Sequence, residues 1–170
     1  RFIGNTPGEP TRLNTEVRLL RAPEHLYFAF VCQDPNTPNL SEKKGDTETV
    51  EIFLDPEHDH DSFYQILVDL GGRVQDWYFE GGGEPADATW DSGAKVAVKQ
   101  GTDSWVIEVQ LPRDRIKGGL ERPAGRPWGA NFCRSMKYPP RPEDTFSGWS
   151  PLLRGRFAQP DLFGHIFFVK

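Results

Sequence analysis

The chain has 170 residues, of which 36% are hydrophobic and 12% aromatic, and it contains 17 Gly and 15 Pro. This composition supplies one hydrophobic core and many turns, so we expect a single domain over residues 1–170 and exclude a chain disordered throughout. A formal net charge of −5 without a basic run argues against a nucleic-acid partner, and no apolar stretch is long enough for membrane insertion. Because the sequence opens with Arg1 rather than Met, we expect a fragment of a longer protein that carries other domains.

Apolar and polar residues alternate with a period of two through much of the chain, the pattern of a strand with one buried face. In chain order, the alternation predicts strands over residues 16–20, 26–32, 50–54, 63–70, 74–79, 94–99, 105–111, 128–136 and 164–169. Residues 111–116 are predicted to hold one short helical turn. About nine short strands without crossover helices predict an all-β fold, an antiparallel β-sandwich of immunoglobulin-like or jelly-roll-like architecture.

Catalytic motifs are missing from the sequence. It contains no nucleophile elbow, no phosphate-binding glycine loop, no paired CxxC and no HExxH. Glu51 and Glu108 stand singly at strand positions, where a solvated sheet face is the alternative to a functional role, and neither has an evident partner for two-carboxylate glycoside hydrolysis. We therefore expect a protein that binds a ligand and is not an enzyme.

The densest charge lies in the short loop over residues 55–61, where Asp55, Asp59 and Asp61 are candidate ligands of a structural calcium ion. The loop does not match an EF-hand. Two alternatives stay open at this point: a solvated acidic turn, and a transition-metal site made by His58 and His60.

A flat aromatic side chain can stack on the apolar face of a sugar ring while polar groups fix its hydroxyls. The candidates are Trp77, Tyr78, Trp90, Trp128, Trp149 and Phe157. Because Trp is mostly buried in small domains, a core position is the alternative for each. Trp149 and Phe157 fall in the irregular segment 138–160, and loops on a rigid sandwich often carry function.

The two cysteines, Cys32 and Cys133, each fall within an apolar strand pattern. Disulfide-dense secreted scaffolds carry more cysteines than this, and a free Cys commonly packs as a small hydrophobe. We predict free, buried thiols, with one disulfide bridge as the alternative.

The order of several segments resembles the family 9 carbohydrate-binding module, which belongs to a wider group of sandwiches that includes haem-binding cytochrome domains. The resemblance covers most of the chain. It is carried, in order, by residues 15–20 with 26–30 (TEVRLL and LYFAF), 50–55 (VEIFLD), 64–69 (YQILVD) with the following glycines, 105–112 (WVIEVQLP), 128–134 (WGANFCR), 149–151 (WSP) and 163–164 (FG).

The resemblance implies a sandwich that holds a sugar end between two aromatic rings, with polar side chains bonding the hydroxyls and structural calcium elsewhere. By position, the glutamate of the family falls on Glu51, an amide on Asp69 and the C-terminal aromatic near Phe157. The sequence departs from the pattern at three positions: the first aromatic falls near Gly45, an arginine near Leu67 and a glutamine near Cys133.

Asn131 and Arg134 belong to the segment WGANFCR and are further candidates for ligand contact. Alternation puts them on opposite faces of their strand, so only one of them can face a given ligand. For Arg134, a buried structural ion pair is the alternative.

The leading hypothesis is non-catalytic binding of a carbohydrate, either an oligosaccharide or the end of a polysaccharide. The domain would target an extracellular or periplasmic polysaccharide-processing protein to its glycan. One alternative is a structural or protein-interaction sandwich that has lost its sugar site and exposes an apolar patch. Another is a haem b electron-transfer domain that uses Met136 with Lys137 or His165 as axial ligands.

Overall fold

The computed structural model describes residues 2–3, 11, 13–40, 48–81, 85–87, 89–117, 125–137, 146–153 and 156–168. In chain order, the elements are β1 (Thr15–Arg21), β2 (His25–Gln33), a single helical turn α1 (Thr37–Leu40), β3 (Glu48–Asp55), β4 (Phe63–Asp69), β5 (Val74–Phe79), β6 (Pro85–Asp87), β7 (Lys95–Gln100), β8 (Ser104–Pro112), β9 (Trp128–Met136), β10 (Phe146–Gly148) and β11 (Gly164–Ile166). Two 3₁₀ turns, Arg113–Arg115 and Pro160–Leu162, complete the set.

The strands form two antiparallel sheets. The small sheet has the order β1-β2-β8-β7, and the large sheet has the order β10-β9-β3-β4-β5-β6, with β11 also pairing with β9. The predicted all-β sandwich is confirmed, as is the short helical turn after β8. The prediction missed β6 and β10, which have three residues each and are too short to display a period of two.

The core lies between the two sheets and is built from the inward residues of each strand. Phe28 and Phe30 of β2 contact Phe132 of β9, with ring centroids 5.9 and 6.3 Å apart. Ile52, Ile66 and Ile107 are fully buried beside them. Each such side chain stabilises the fold by roughly 1.5–3 kcal/mol on burial, so this layer fixes how the two sheets face each other.

The large sheet is also covered on part of its outer face. Residues 149–153 and 156–163, here called the C-terminal cover, bring Leu152, Phe157 and Phe163 against Phe53 and Phe63 in a second apolar cluster. Every residue of β3 and of β9 is buried. The cover ends beside Glu51, and this boundary between covered and open sheet positions the site.

Both cysteines are free and buried, as predicted. Cys32 lies in the core between the sheets, whereas Cys133 lies under the C-terminal cover. Within the part of the chain that the structure describes, no helix is long and apolar enough to span a membrane.

Candidate functional site

A pocket of about 420 Å³ opens on the outer face of the large sheet where the C-terminal cover ends. It is lined by Thr49, Glu51, Leu67, Gln75, Ser135, Lys137, Phe146, Arg156 and Phe157. Strands β3, β4, β5 and β9 supply its floor, because the register places Glu51 opposite Cys133 and Leu67, and Leu67 opposite Gln75. The site is therefore held by the central, best-paired part of the sheet.

Glu51 forms the acidic centre of this pocket and is only 6% exposed. Its Oε2 accepts a 2.7 Å hydrogen bond from the Nε2 group of Gln65. Burial raises the pKa of Glu51 to about 7, against the opposing effects of the Gln65 hydrogen bond and the nearby Lys137 cation. The solvated sheet face considered for Glu51 is not what the structure shows, whereas Glu108 does lie exposed on the small sheet.

The aromatic wall of the pocket consists of Phe146 and Phe157, whose rings meet edge to face with centroids 5.4 Å apart. Phe157 also packs edge-on against Phe53 at 6.5 Å, so the C-terminal cover holds its ring in place. Phe157 thus lines the same pocket as Glu51, at the position where the family resemblance implies an aromatic residue. Phe146 was not predicted.

The three positions that depart from the family pattern lie in different surroundings. Leu67 lines the pocket, so an apolar side chain stands where the resemblance calls for an arginine. Cys133 is fully buried beside Glu51 and adds no polar group to the wall. Gly45 lies outside the described residues.

Asp69 is a buried neighbour of the pocket rather than part of its wall. Its register partner is Thr49, but its carboxylate turns into the following hairpin. There it accepts hydrogen bonds from the backbone N–H groups of Gly71 and Arg73 and forms a 3.1 Å ion pair with Nε of Arg73. The geometry gives Asp69 a role in closing the turn between β4 and β5, and it does not line the pocket.

Asn131 and Trp149 lie apart from Glu51. Asn131 is 2% exposed, and its Oδ1 accepts hydrogen bonds from the backbone N–H groups of Phe132 and Ser150, which attaches the C-terminal cover to β9. Trp149 packs on Phe132, with ring centroids 5.5 Å apart. It lines a different depression, which it shares with Phe2 and Thr15 among others. Neither Asn131 nor Trp149 reaches the pocket.

Arg134 requires a correction, because its side chain faces the interior and is fully buried. Its guanidinium forms ion pairs with Asp34 at 3.3 Å and Glu48 at 3.7 Å and lies over the Trp105 ring at 4.9 Å. Arg134 therefore forms the buried ion pairs that were the alternative to ligand contact, and its side chain does not line the pocket.

The loop after β3 does not bring its three carboxylates together. Asp55 accepts hydrogen bonds from the backbone N–H groups of Asp59 and His60, and the carboxylate of Asp59 accepts those of Asp61 and Ser62. Among the described residues, no group of three His, Cys, Asp or Glu side chains is arranged to hold a metal ion. The hydrogen bonds of Asp55 and Asp59 shape the loop, and calcium binding by Asp55, Asp59 and Asp61 stays a prediction.

The axial ligands considered for haem are not brought together either. Met136 is fully buried in the core, whereas Lys137, the next residue, is exposed on the pocket side. His165 pairs with Gly129 at the other end of β9, and the seven residue steps from Gly129 to Met136 span roughly 23 Å at about 3.3 Å each.

An exposed apolar patch lies on the opposite layer of the sandwich. Leu20 is 65% and Tyr27 37% exposed, and the two are register partners on the outer face of the small sheet. Gln110 donates a 3.1 Å hydrogen bond to the Tyr27 hydroxyl. Such a patch is what the protein-interaction alternative predicts.

Several residues that line the pocket were not predicted from the sequence, namely Thr49, Gln75, Ser135, Phe146 and Arg156. Lys137 was considered only as a haem ligand, and Gln65, the hydrogen-bond partner of Glu51, was not predicted either. For some of them a signal was available, because Thr49 and Ser135 stand two residues from Glu51 and Cys133 and so share their face. Arg156 and Phe146 offered no such signal, since loop residues carry no period.

An antiparallel sandwich with a polar pocket and an aromatic wall on one sheet places the chain among the ligand-binding β-sandwich domains. The sequence model of the family described as "Carbohydrate family 9 binding domain-like" matches residues 2–170. The chain belongs to this family, which confirms the resemblance. No curated protein sequence matches it significantly.

Solved structures share the fold. A family 9 carbohydrate-binding module from Caldicellulosiruptor kristjanssonii in complex with glucose is 19% identical, with a TM-score of 0.64 over 95% of this chain and 79% of that one. Its complex with cellotriose gives 17% identity and a TM-score of 0.64 over 96% and 79%. A Bacteroides uniformis protein that has been proposed to bind carbohydrate is 18% identical, with a TM-score of 0.67 over 99% and 86%.

Proposed function

We propose that the chain binds carbohydrate, without catalysing a reaction, in the pocket around Glu51. The observation that carries this proposal is a nearly buried carboxylate, oriented by Gln65, at the centre of a pocket with an aromatic wall. The volume of about 420 Å³ lies within the range of about 300–1,000 Å³ that is usual for small-ligand sites.

The groups in the pocket match the chemistry of a sugar end. Sugar hydroxyls donate hydrogen bonds to a carboxylate, and among the hydrogen bonds between described residues Gln65 occupies only Oε2 of Glu51. Gln75, Thr49 and Ser135 line the same space and can donate or accept. The ring of Phe157 offers an apolar surface to one face of a pyranose. Glucose and cellotriose in complex with the Caldicellulosiruptor module support this choice of ligand class.

The described charges in the pocket support binding without catalysis. Hydrolysis of a glycosidic bond typically uses two carboxyl groups roughly 5–9.5 Å apart. Among the described residues that line the pocket, Glu51 is the one carboxylate. The proposal extends to the larger context: the domain would target a polysaccharide-processing protein, outside the cell or in the periplasm, to its glycan.

The experiment is a calorimetric titration of the whole chain with cellulose- and xylan-derived oligosaccharides, repeated with Glu51→Gln. Because hydrogen bonds to a charged group are worth about 1.5–3 kcal/mol, the substitution should weaken binding by about tenfold or more. Glu108→Gln is the matched control, since it removes an exposed carboxylate from the other sheet. The proposal fails if no oligosaccharide binds at millimolar concentration, or if Glu51→Gln binds as well as the parent chain.

A further inference from the structure

Two cations line the same pocket as Glu51. Lys137 directly follows β9 and Arg156 belongs to the C-terminal cover; both are exposed and both line the pocket. Lys137 is close enough to Glu51 to favour its ionised form electrostatically. Among the described residues, neither cation forms an ion pair with a carboxylate. Within the described part of the chain, no paired carboxylate neutralises either charge.

Among the described residues that line the pocket, Glu51 carries the one negative charge. Asp69, the register partner of Thr49, is paired with Arg73 at 3.1 Å. Burial raises the pKa of Glu51 to about 7, so protonation near neutral pH lowers its negative charge. Among the described residues that line the pocket, Lys137 and Arg156 against Glu51 give a charge of +1 when Glu51 is ionised and +2 when it is protonated. The whole chain carries −5, so a positive pocket stands out against its surface.

We propose that the pocket selects a sugar end that bears a carboxylate, a uronic acid, over the corresponding neutral sugar. This inference rests on the proposed function and names the ligand class for that site. A planar guanidinium can hold a carboxylate through two parallel hydrogen bonds, and an ammonium acts as a point charge that tolerates several orientations. Arg156 and Lys137 offer one of each, while Phe157 remains free to stack on the ring.

The test compares two disaccharides that differ only at one C6 atom: cellobiose and cellobiouronic acid, titrated calorimetrically into the whole chain at low salt. Digalacturonic acid and its neutral counterpart form a second pair that covers the other common hexose configuration. Exposed charge pairs contribute modestly, each about 1.4- to 5-fold in affinity. The acidic sugar should therefore bind about 3- to 10-fold more tightly, and the preference should shrink as salt is added.

Variants separate the two cations from general electrostatics. In Lys137→Gln/Arg156→Gln, the affinity for the acidic sugar should fall to the affinity that the same variant shows for the neutral sugar. Lys95→Gln/Lys99→Gln is the matched control, because it removes two exposed cations from β7 on the other sheet and should keep the preference.

The outcomes distinguish this inference from the proposed function. If neutral sugars bind and acidic ones bind no better, or if the preference survives in Lys137→Gln/Arg156→Gln, the inference is overturned and carbohydrate binding stands. If no sugar of either kind binds, both are overturned. A preference that is lost only in the pocket variant supports both.

Discussion

The side-chain amide of Gln65 on β4 donates a 2.7 Å hydrogen bond to Oε2 of Glu51 on β3. The two residues are diagonal neighbours, since Glu51 is the register partner of Leu67 and Gln65 that of Phe53. The amide favours the ionised carboxylate, but burial outweighs it and keeps the pKa of Glu51 near 7. Gln65 thus fixes the direction of a carboxyl group that changes its charge close to neutral pH.

Stability should depend on pH through Glu51. Its pKa is raised from an ordinary value of 4.5 to about 7 in the fold, so the folded chain binds a proton more tightly than the unfolded chain does. The contribution of Glu51 to the free energy of unfolding is fully present below pH 4.5 and is lost as the pH rises through 7. Across this range, the free energy of unfolding should fall by about 3 kcal/mol because of Glu51.

Urea unfolding of the parent chain and of Glu51→Gln at about pH 4.5 and about pH 8 measures this effect. The parent chain should lose stability relative to the variant at the higher pH, because only the parent buries a charge there. In Glu108→Gln, which changes an exposed side chain, no such pH-dependent difference is expected. A constant difference between the parent chain and Glu51→Gln would show that Glu51 does not titrate in this range.

The ring of Phe157 should matter for sugar affinity beyond its packing. Phe157→Leu keeps an apolar side chain against Phe53 but removes the flat surface, which should weaken oligosaccharide binding by about 2- to 10-fold. Phe163→Leu is the control, since Phe163 packs on the same Phe53 at 5.7 Å without lining the pocket. Equal losses of affinity in the two variants would assign the effect to the cover as a whole.

Arg134 should contribute more to stability than any exposed cation. Arg134→Leu would leave the buried carboxylates of Asp34 and Glu48 without their guanidinium, which should cost about 3–5 kcal/mol of unfolding free energy. In Arg134→Lys, which keeps the charge, the loss should be smaller. Arg18→Leu removes an arginine from an exposed ion pair with Glu16 and should leave stability essentially unchanged. If Arg134→Leu unfolded like Arg18→Leu, the buried network would carry little of the stability.

The two thiols should be unreactive in the folded chain. Burial raises the pKa of Cys32 to about 12 and that of Cys133 well above its ordinary value, and the thiolate is the reactive form. Ellman's reagent at mildly alkaline pH should label neither residue in buffer and both in denaturing urea. Rapid labelling of the folded chain would mean that the C-terminal cover opens readily over Cys133.

Much of the architecture could be predicted from the sequence alone. The alternation of Val50, Ile52 and Leu54 with Glu51 and Phe53 reports the two faces of a strand, because successive side chains point to opposite sides. The same regularity located most of the strands. It also set Glu51 apart from the core residues and made free, buried thiols the expected state of the cysteines.

Only the tertiary structure decided what each polar residue does. Alternation separates two faces without saying what covers them, and here both faces of β9 are buried. The Arg134 side chain lies in the core, and the Asn131 side chain accepts a hydrogen bond from the C-terminal cover. Lys137 and Arg156 line one pocket although 18 residues lie between them in the sequence. Contacts of this kind depend on how distant segments pack, and the alternation of apolar and polar residues does not predict that packing.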